Sequence, residues 1–409
     1  MKLSHALMSL AISAPLFAAP VPPTPPPAAT SLDEAFAKGK ISFDARLRWE
    51  SAEQSNLKDS DAYTLATRLG FTTAPLNGFQ GMLEGENVVS LGDMNNYNAA
   101  GTNPGGAGHT AIGDPEGTDI NQAWLSYGAA DTLVKVGRQR INLQNTRFVG
   151  DGAWRQNMQT FDTASVAYTF DKKVDLYYGY VWRVSRAFFN KAPQPDFTGD
   201  SHFINASYSG LPYGKLSGYA YLLDFDNSAA NSSDTYGASF AGSAKVNADF
   251  KLTYRAEYAS QQDAGKNPLN YSADYYDLEF GGAVKPFDFN VGYEVLGSDH
   301  GKKGFSTPLA NLHPFNGWGD IFTATPAAGL RDLSFSVGAA LPGGFPVKVV
   351  YHDYKSDYGS ADYGSEWDAV ITHKIDKNWT AFAQIAHYEA KAAPYFDTDK
   401  FYLSLSFSY

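Results

Sequence analysis

The chain has 409 residues, a net charge of −11, 15% aromatic residues and no cysteine. The lack of cysteine excludes a disulfide framework, a thiolate metal site, a thiol nucleophile and lipidation at cysteine, and the acidic balance does not fit a nucleic-acid partner. The length allows two or three soluble domains or one large barrel. Mean hydropathy is −0.32 and no apolar run beyond the amino terminus is long enough for a membrane helix, so a membrane protein of this composition must be a β-barrel.

The amino terminus predicts export from the cytoplasm. Residues 1–19 combine Lys2, an apolar stretch and the small pair Ala18 and Ala19, which is typical of a secretory signal peptide. Residues 20–38 form a second segment, beginning with the proline-rich sequence PVPPTPPPAAT, for which we expect an extended periplasmic linker. A short helix is expected at its end, because Ser31 and Glu34 have capping-box spacing and Gly39 can end a helix.

The first and last strands of the remaining chain show the same alternation. Residues 41–50 read ISFDARLRWE and residues 401–409 read FYLSLSFSY, so apolar side chains share one face and polar side chains the other. A final strand that ends on an aromatic residue is typical of an outer-membrane barrel, where it pairs with the first strand and leaves no open edge.

Connections between the strands alternate between short turns and long polar loops. The turns include APLNG at residues 74–78, LPYGK at 211–215 and LPGGFP at 341–346, whereas the longest loop covers residues 297–330. Counting strands between them gives about eighteen, an even number that places both termini in the periplasm. The predicted fold class is therefore all-β: a transmembrane antiparallel β-barrel over residues 39–409, with short periplasmic turns and long extracellular loops.

Charged residues on the polar strand faces and in one loop are predicted to line the pore, because a barrel of this kind has a wet interior. Arginines dominate the first two strands, and carboxylates dominate the eleventh to thirteenth strands across the ring, which predicts a transverse electric field. The alternative is that neighbouring charges pair and only stiffen the wall. The predicted pore-lining residues are Arg46, Arg48, Arg68, Glu84, Glu86, Arg138, Arg140, Arg155, Arg183, Arg255, Asp277, Glu279 and Glu294.

Two polar segments stand out in the loops. Residues 137–162 read GRQRINLQNTRFVGDGAWRQNMQTFD and are rich in arginine, which suits either a loop that constricts the lumen with fixed cations or a loop tied to the wall by arginine pairs. Arg138 and Arg140 share the parity of Val134 and Val136, so the pattern leaves their direction open. Residues 308–320 read PLANLHPFNGWGD; packing of Phe315 and Trp318 is favoured there over a lumen plug or a sugar-stacking site.

These two segments resemble the signature segments of the alginate-export family of outer-membrane channels. The resemblance implies an eighteen-stranded barrel and, as in the type member of the family, outward passage of an anionic polysaccharide through an arginine-lined pore. With the strand rhythm around them, it covers the chain from about residue 39 to residue 409.

The predicted function is a porin-like outer-membrane channel for passive, charge-selective diffusion of hydrophilic solutes, with export of an anionic polysaccharide such as alginate implied by the resemblance. A structural or adhesive barrel with a closed lumen is the alternative, and a barrel-rim enzyme is disfavoured because the eight histidines are scattered without a catalytic signature. No cofactor and no metal are expected. Expected partners are outer-membrane lipid, the solute or polysaccharide and the barrel-assembly machinery, acting on a monomer; a periplasmic partner for the proline-rich segment stays open.

Overall fold

A computed structural model describes residues 28–409; the predicted signal peptide and the first part of the linker, residues 20–27, lie outside the described residues. Eighteen antiparallel strands form one sheet in which β1 pairs with both β2 and β18, so the sheet closes into a barrel. No helix within residues 28–409 is long and apolar enough to cross a membrane.

The element bounds follow the chain order. Helix α1 covers Leu32–Ala37, and short 3-10 turns cover Met94–Asn96, Pro104–Gly106 and Ala229–Asn231. The strands are β1 Lys40–Gln54, β2 Ser60–Thr72, β3 Phe79–Ser90, β4 Gly117–Ala129, β5 Thr132–Gln139, β6 Thr160–Phe170, β7 Val174–Ser185, β8 Asp196–Tyr208, β9 Gly214–Leu223, β10 Ser233–Lys245, β11 Phe250–Asp263, β12 Ser272–Val284, β13 Phe287–Leu296, β14 Leu330–Leu341, β15 Phe345–Lys355, β16 Asp362–Lys374, β17 Trp379–Ala390 and β18 Thr398–Ser408.

The short helix is capped at its predicted start. The Ser31 hydroxyl accepts a hydrogen bond from the Glu34 amide at 3.2 Å, and the Glu34 carboxylate accepts one from the Thr30 amide at 2.6 Å. In a capping box the Glu34 carboxylate would accept from the Ser31 amide; here it accepts from the Thr30 amide, one residue earlier. Ala35 packs on Ala29 and Ala74, which holds the helix against the turn between β2 and β3.

The barrel closes through the last strand, as the alternation predicted. In the β1–β18 ladder, Arg48 lies opposite Ser404 and Trp49 lies opposite Leu403. At the end of the ladder, the Tyr409 amide donates to the Phe43 carbonyl at 2.9 Å. Because every strand then has two neighbours, the sheet has no exposed edge.

The connections separate the barrel into two ends. Turns of two to six residues join the strands at one rim, here called the short-turn end, and connections of five to thirty-three residues leave the other rim, the long-loop end. The three longest loops cover residues 91–116, 140–159 and 297–329. The predicted rhythm and strand number are confirmed.

The barrel has its apolar surface outside. Leu69 and Leu125 are 61% and 67% exposed on the outer face, while Arg48 and Glu50, on the inner face of β1, are 1% and 0% exposed. A soluble β-sandwich has the opposite arrangement, with apolar side chains inside and charges outside. The outer face therefore suits lipid, and the inner face suits a polar interior.

Candidate functional site

Two loops fold from the long-loop end into the lumen. The first inward loop covers residues 140–159 between β5 and β6, and the second inward loop covers residues 297–329 between β13 and β14. They pair with each other through backbone hydrogen bonds: the Gly150 amide donates to Leu309 at 2.9 Å and the Asn311 amide donates to Thr146 at 3.1 Å. The two loops therefore form one body inside the barrel.

The first inward loop is fixed to the wall by arginines from β1 and β2. Arg46 donates to the Gln156 side-chain oxygen at 2.8 Å, to the Ala153 carbonyl at 2.9 Å and to the Arg155 carbonyl. Arg68 donates to the Gln156 carbonyl and forms an ion pair with Glu86. Because five donors in a planar fork can reach several oxygens at once, arginine is suited to hold a loop backbone in this way.

Arg155 is the centre of a buried charge network. Its guanidinium lies 3.0 Å from Glu50 on β1, 2.7 Å from Asp320 in the second inward loop and 3.9 Å from Asp114 in the loop 91–116. Burial disfavours the charged form, but these three carboxylates outweigh it and raise the pKa of Arg155. A permanent cation thus joins the wall to both loops.

The first inward loop also reaches the opposite wall. The Arg147 guanidinium donates to Glu294 on β13 at 2.6 Å and to Asn316 of the second inward loop at 2.8 Å. Asn316 in turn donates to Glu294 at 2.6 Å and to Asp332 on β14 at 3.0 Å. The loop pair therefore crosses the lumen from β1 and β2 to β13 and β14.

The second inward loop is fixed to strands β16 and β18. The Gly319 amide donates to Glu366 at 2.6 Å, and the Trp318 amide donates to Asp368 at 3.3 Å. Tyr402 on β18 donates to the Trp318 carbonyl at 3.1 Å. A side chain at Gly317 would meet Tyr354 and Glu366, and the φ of +83° at this position favours glycine, so the tight turn of NGWG brings the backbone onto the wall.

An aromatic contact joins the tips of the two loops. Trp154 stacks on His313 with ring centroids 3.6 Å apart, and the Arg48 guanidinium carbon lies over the Trp154 ring, 4.3 Å from its centroid. His313 hydrogen-bonds Asp320 through Nδ1 at 2.9 Å and Gln384 through Nε2 at 2.9 Å. Burial lowers the pKa of His313, so the imidazole is neutral at neutral pH. Burial alone would raise the pKa of Asp320, but His313, Lys400 and Arg155 lower it.

A family model for alginate export matches residues 39–274, more than half of the chain. The chain belongs to the alginate-export family. No curated protein sequence matches it closely enough to be informative.

Solved structures show the same fold at low sequence identity. OccAB2 of Acinetobacter baumannii has a TM-score of 0.73 at 13% identity, over 92% of this chain and 99% of that one. OpdK of Pseudomonas aeruginosa, solved with vanillate, has a TM-score of 0.72 at 15% identity, over 91% and 99%. OccK9 of Pseudomonas aeruginosa has a TM-score of 0.72 at 14% identity, over 92% and 100%. The family and the fold are those of outer-membrane porin-like channels.

Most of the predicted pore-lining residues of this alginate-export family member face the lumen. Arg46, Arg48, Arg68, Glu84 and Glu86 lie on β1 to β3 and are buried beneath the first inward loop. Arg155 lies in that loop, and Arg140 at its start binds Asp151 within the same loop at 2.5 Å. The opposite wall carries Arg255, Asp277, Glu279 and Glu294.

Arg138 and Arg183 are exceptions, and their prediction as pore-lining residues is wrong. Arg138 lies opposite Asp162, to which it donates at 2.8 Å, on the outer face shared with Val134 and Val136. Arg183 also lies opposite Asp162, because a β-bulge at Trp182 shifts the pairing by one residue and reverses the expected parity.

Several residues of the loop network were absent from the predicted site. Asp114 accepts from the Gln156 amide at 2.9 Å, but its loop sequence has no feature that indicates this contact. Glu366, Asp368 and His352 could have been found, because Glu366 and Asp368 flank Trp367 on β16 and His352 follows Tyr351 on β15. Within residues 28–409 no group of acidic and histidine side chains is arranged to hold a metal ion.

Proposed function

We propose that this protein is a passive outer-membrane channel for hydrophilic solutes, with a constriction formed by the two inward loops and the charges that hold them. The observation that carries this proposal is the inverted barrel: an apolar outer face encloses a charged inner face. Flow through such a channel follows the gradient of the solute and needs no cofactor.

Charge on the two walls supports selectivity for charged solutes. Arg46, Arg48 and Arg68 lie on one wall, whereas Asp277, Glu279 and Glu294 lie across the lumen on β12 and β13. Fixed charges in a narrow, partly dehydrated passage act through a lower effective dielectric than in water, so a few groups can set ion preference. An anionic polysaccharide fits the family, and a small carboxylate such as the vanillate of OpdK fits the fold relative.

A specific observation favours a second candidate, a structural or adhesive barrel with a closed lumen. The inner-face residues Arg48, Glu50, Glu366 and Tyr402 are at most 1% exposed, because the inward loops cover them. Conductance of the purified full-length chain in a planar bilayer distinguishes the candidates. Discrete current steps support the channel, and a silent barrel that folds correctly supports the closed form.

We also propose that the short-turn end and both termini face the periplasm, and that the barrel-assembly machinery inserts the chain as a monomer. The native chain has no cysteine, so single cysteines can report sidedness without background. Ser228→Cys lies in a long loop and Asp131→Cys in a short turn. In intact cells, a membrane-impermeant maleimide is expected to label position 228 only. Labelling at position 131 alone would show that the barrel has the opposite orientation.

A further inference from the structure

A hollow in the lumen wall lies near the short-turn end, away from the inward loops. Its volume is about 410 Å³, and its walls include Lys251, Thr253, Arg255, Glu279 and Asn290. Lys251, Thr253 and Arg255 are alternate residues of β11 and share the face of Glu257, which points into the lumen. The hollow has room because β10 contributes only the small side chains Ala241 and Ser243 opposite Arg255 and Thr253.

The cations of this hollow differ in how far they are neutralised. Arg255 lies 2.9 Å from Asp277 and also forms an ion pair with Glu257, so two wall carboxylates offset its charge. Among residues 28–409 the Lys251 ammonium has no ion-pair or hydrogen-bond partner, and Lys245 lies opposite Lys251 on β10. The Lys251 side of the hollow therefore presents positive charge to the lumen.

The other side of the hollow presents a carboxylate. One oxygen of Glu279 accepts from the Asn290 side-chain amide at 3.1 Å. The second oxygen accepts no hydrogen bond from the described part of the chain, so it is open to a donor that enters the lumen. Thr253 and Ser243 add hydroxyl groups between the two charged sides.

The strand register sets the distance between the charges. Glu279 lies opposite Arg255, and Lys251 is four residues further along β11, which places the two backbone positions about 13 Å apart. Both side chains are flexible and can lean toward each other, so they match charges on a solute that are several bonds apart. A hollow of about 410 Å³ is at the small end of the range for ligand sites, which favours a small solute over a polymer segment.

We propose that this hollow is a binding subsite for a small zwitterionic solute, such as a dipeptide, whose carboxylate contacts Lys251 and whose ammonium contacts Glu279. The proposal rests on the proposed function, because only a solute that enters the lumen can reach the subsite. Charge-assisted hydrogen bonds at both ends give such a solute an advantage over one that carries a single charge.

The test is equilibrium binding by calorimetry, with the full-length protein in detergent and glycylglycine as the probe. N-acetylglycine retains only the carboxylate and glycinamide only the ammonium, so we expect both to bind about tenfold more weakly or worse. K251Q and E279Q are each expected to weaken glycylglycine binding by a similar factor, whereas K251R should retain it. K135Q is the control, because Lys135 lies on β5 over Trp124 and outside the hollow.

Each outcome decides the proposal. It is overturned if glycylglycine does not bind, if all three probes bind equally, or if K251Q and E279Q bind as tightly as K135Q. Heat-modifiable migration on gels first shows that each variant has folded. Conductance is measured on the same samples. A protein that conducts but does not bind glycylglycine would refute the subsite alone, whereas a protein that does not conduct would refute the channel function.

Discussion

Trp154 and His313, which belong to different loops, lie face to face inside the barrel with ring planes only 3° apart. Asp320 and Gln384 each hydrogen-bond one nitrogen of His313, and the Arg48 guanidinium lies over the Trp154 ring. The Trp154–His313 contact therefore joins the two loops to each other, beside their backbone hydrogen bonds and the Arg155–Asp320 ion pair, and through Arg48 and Gln384 it joins them to the wall.

Replacing Trp154 with alanine is expected to loosen the packing between the two loops, which their backbone hydrogen bonds and the Arg155–Asp320 ion pair still join. Removing a buried aromatic side chain costs about 3–5 kcal/mol, so the loop tips should become more mobile. Conductance should rise and become noisier. Trp182→Ala is the matched control, because Trp182 is 39% exposed at a bulge in β7; equal conductance in the two variants would show that the loop contact does not restrict the lumen.

Acid pH should weaken the same contact. Because the pKa of His313 is lowered from 6.5 by burial, the folded state takes up its proton less readily than the unfolded state. The neutral imidazole therefore contributes its full stabilisation above pH 6.5, and this stabilisation is lost progressively as the pH falls below 6.5. Quenching of the tryptophan fluorescence by acrylamide should increase as the pH falls below 6.5.

His313→Gln isolates this effect, since it should remove the pH-dependent part of the quenching. His300→Gln is the control, because His300 lies in the same loop but its side chain is 82% exposed. The expectation fails if the His313 variant retains the full pH response.

Arg46 and Arg68 combine charge with anchoring, and two double variants separate the roles. From the sequence, changing both to glutamate predicts a shift of the reversal potential toward cations with little effect on folding. The structure adds that the first inward loop loses its anchor, so conductance should also change. Changing both to lysine keeps the charge but removes the fork geometry, so conductance should change while the reversal potential stays. If the reversal potential is unaltered in the glutamate variant, residues other than Arg46 and Arg68 set the ion selectivity.

Deletion of residues 401–409 should prevent insertion into the outer membrane. These residues form most of β18, which pairs with both β1 and β17, so the deletion leaves two open edges. The measurement is fractionation followed by gels of unheated and heated samples. A heat-modifiable truncated chain in the outer-membrane fraction would contradict the closure described here.

The barrel could be predicted from the sequence, because strand alternation and turn composition are local. Ser31 and Glu34 likewise identified the helix start. The position of Arg183 could not be predicted, since the bulge at Trp182 depends on pairing with β6 and β8. The Trp154–His313 contact could not be predicted either, because the two residues are far apart in sequence and no periodic pattern specifies how two irregular loops pack.

Single-channel recording of the wild-type protein and the Trp154→Ala variant in planar bilayers tests directly whether the inward loops narrow a water-filled lumen. We expect small discrete current steps for the wild type and larger steps for the variant. Identical steps in both proteins, or no current from either although both migrate as folded barrels, would show that the loops do not form a constriction in an open channel.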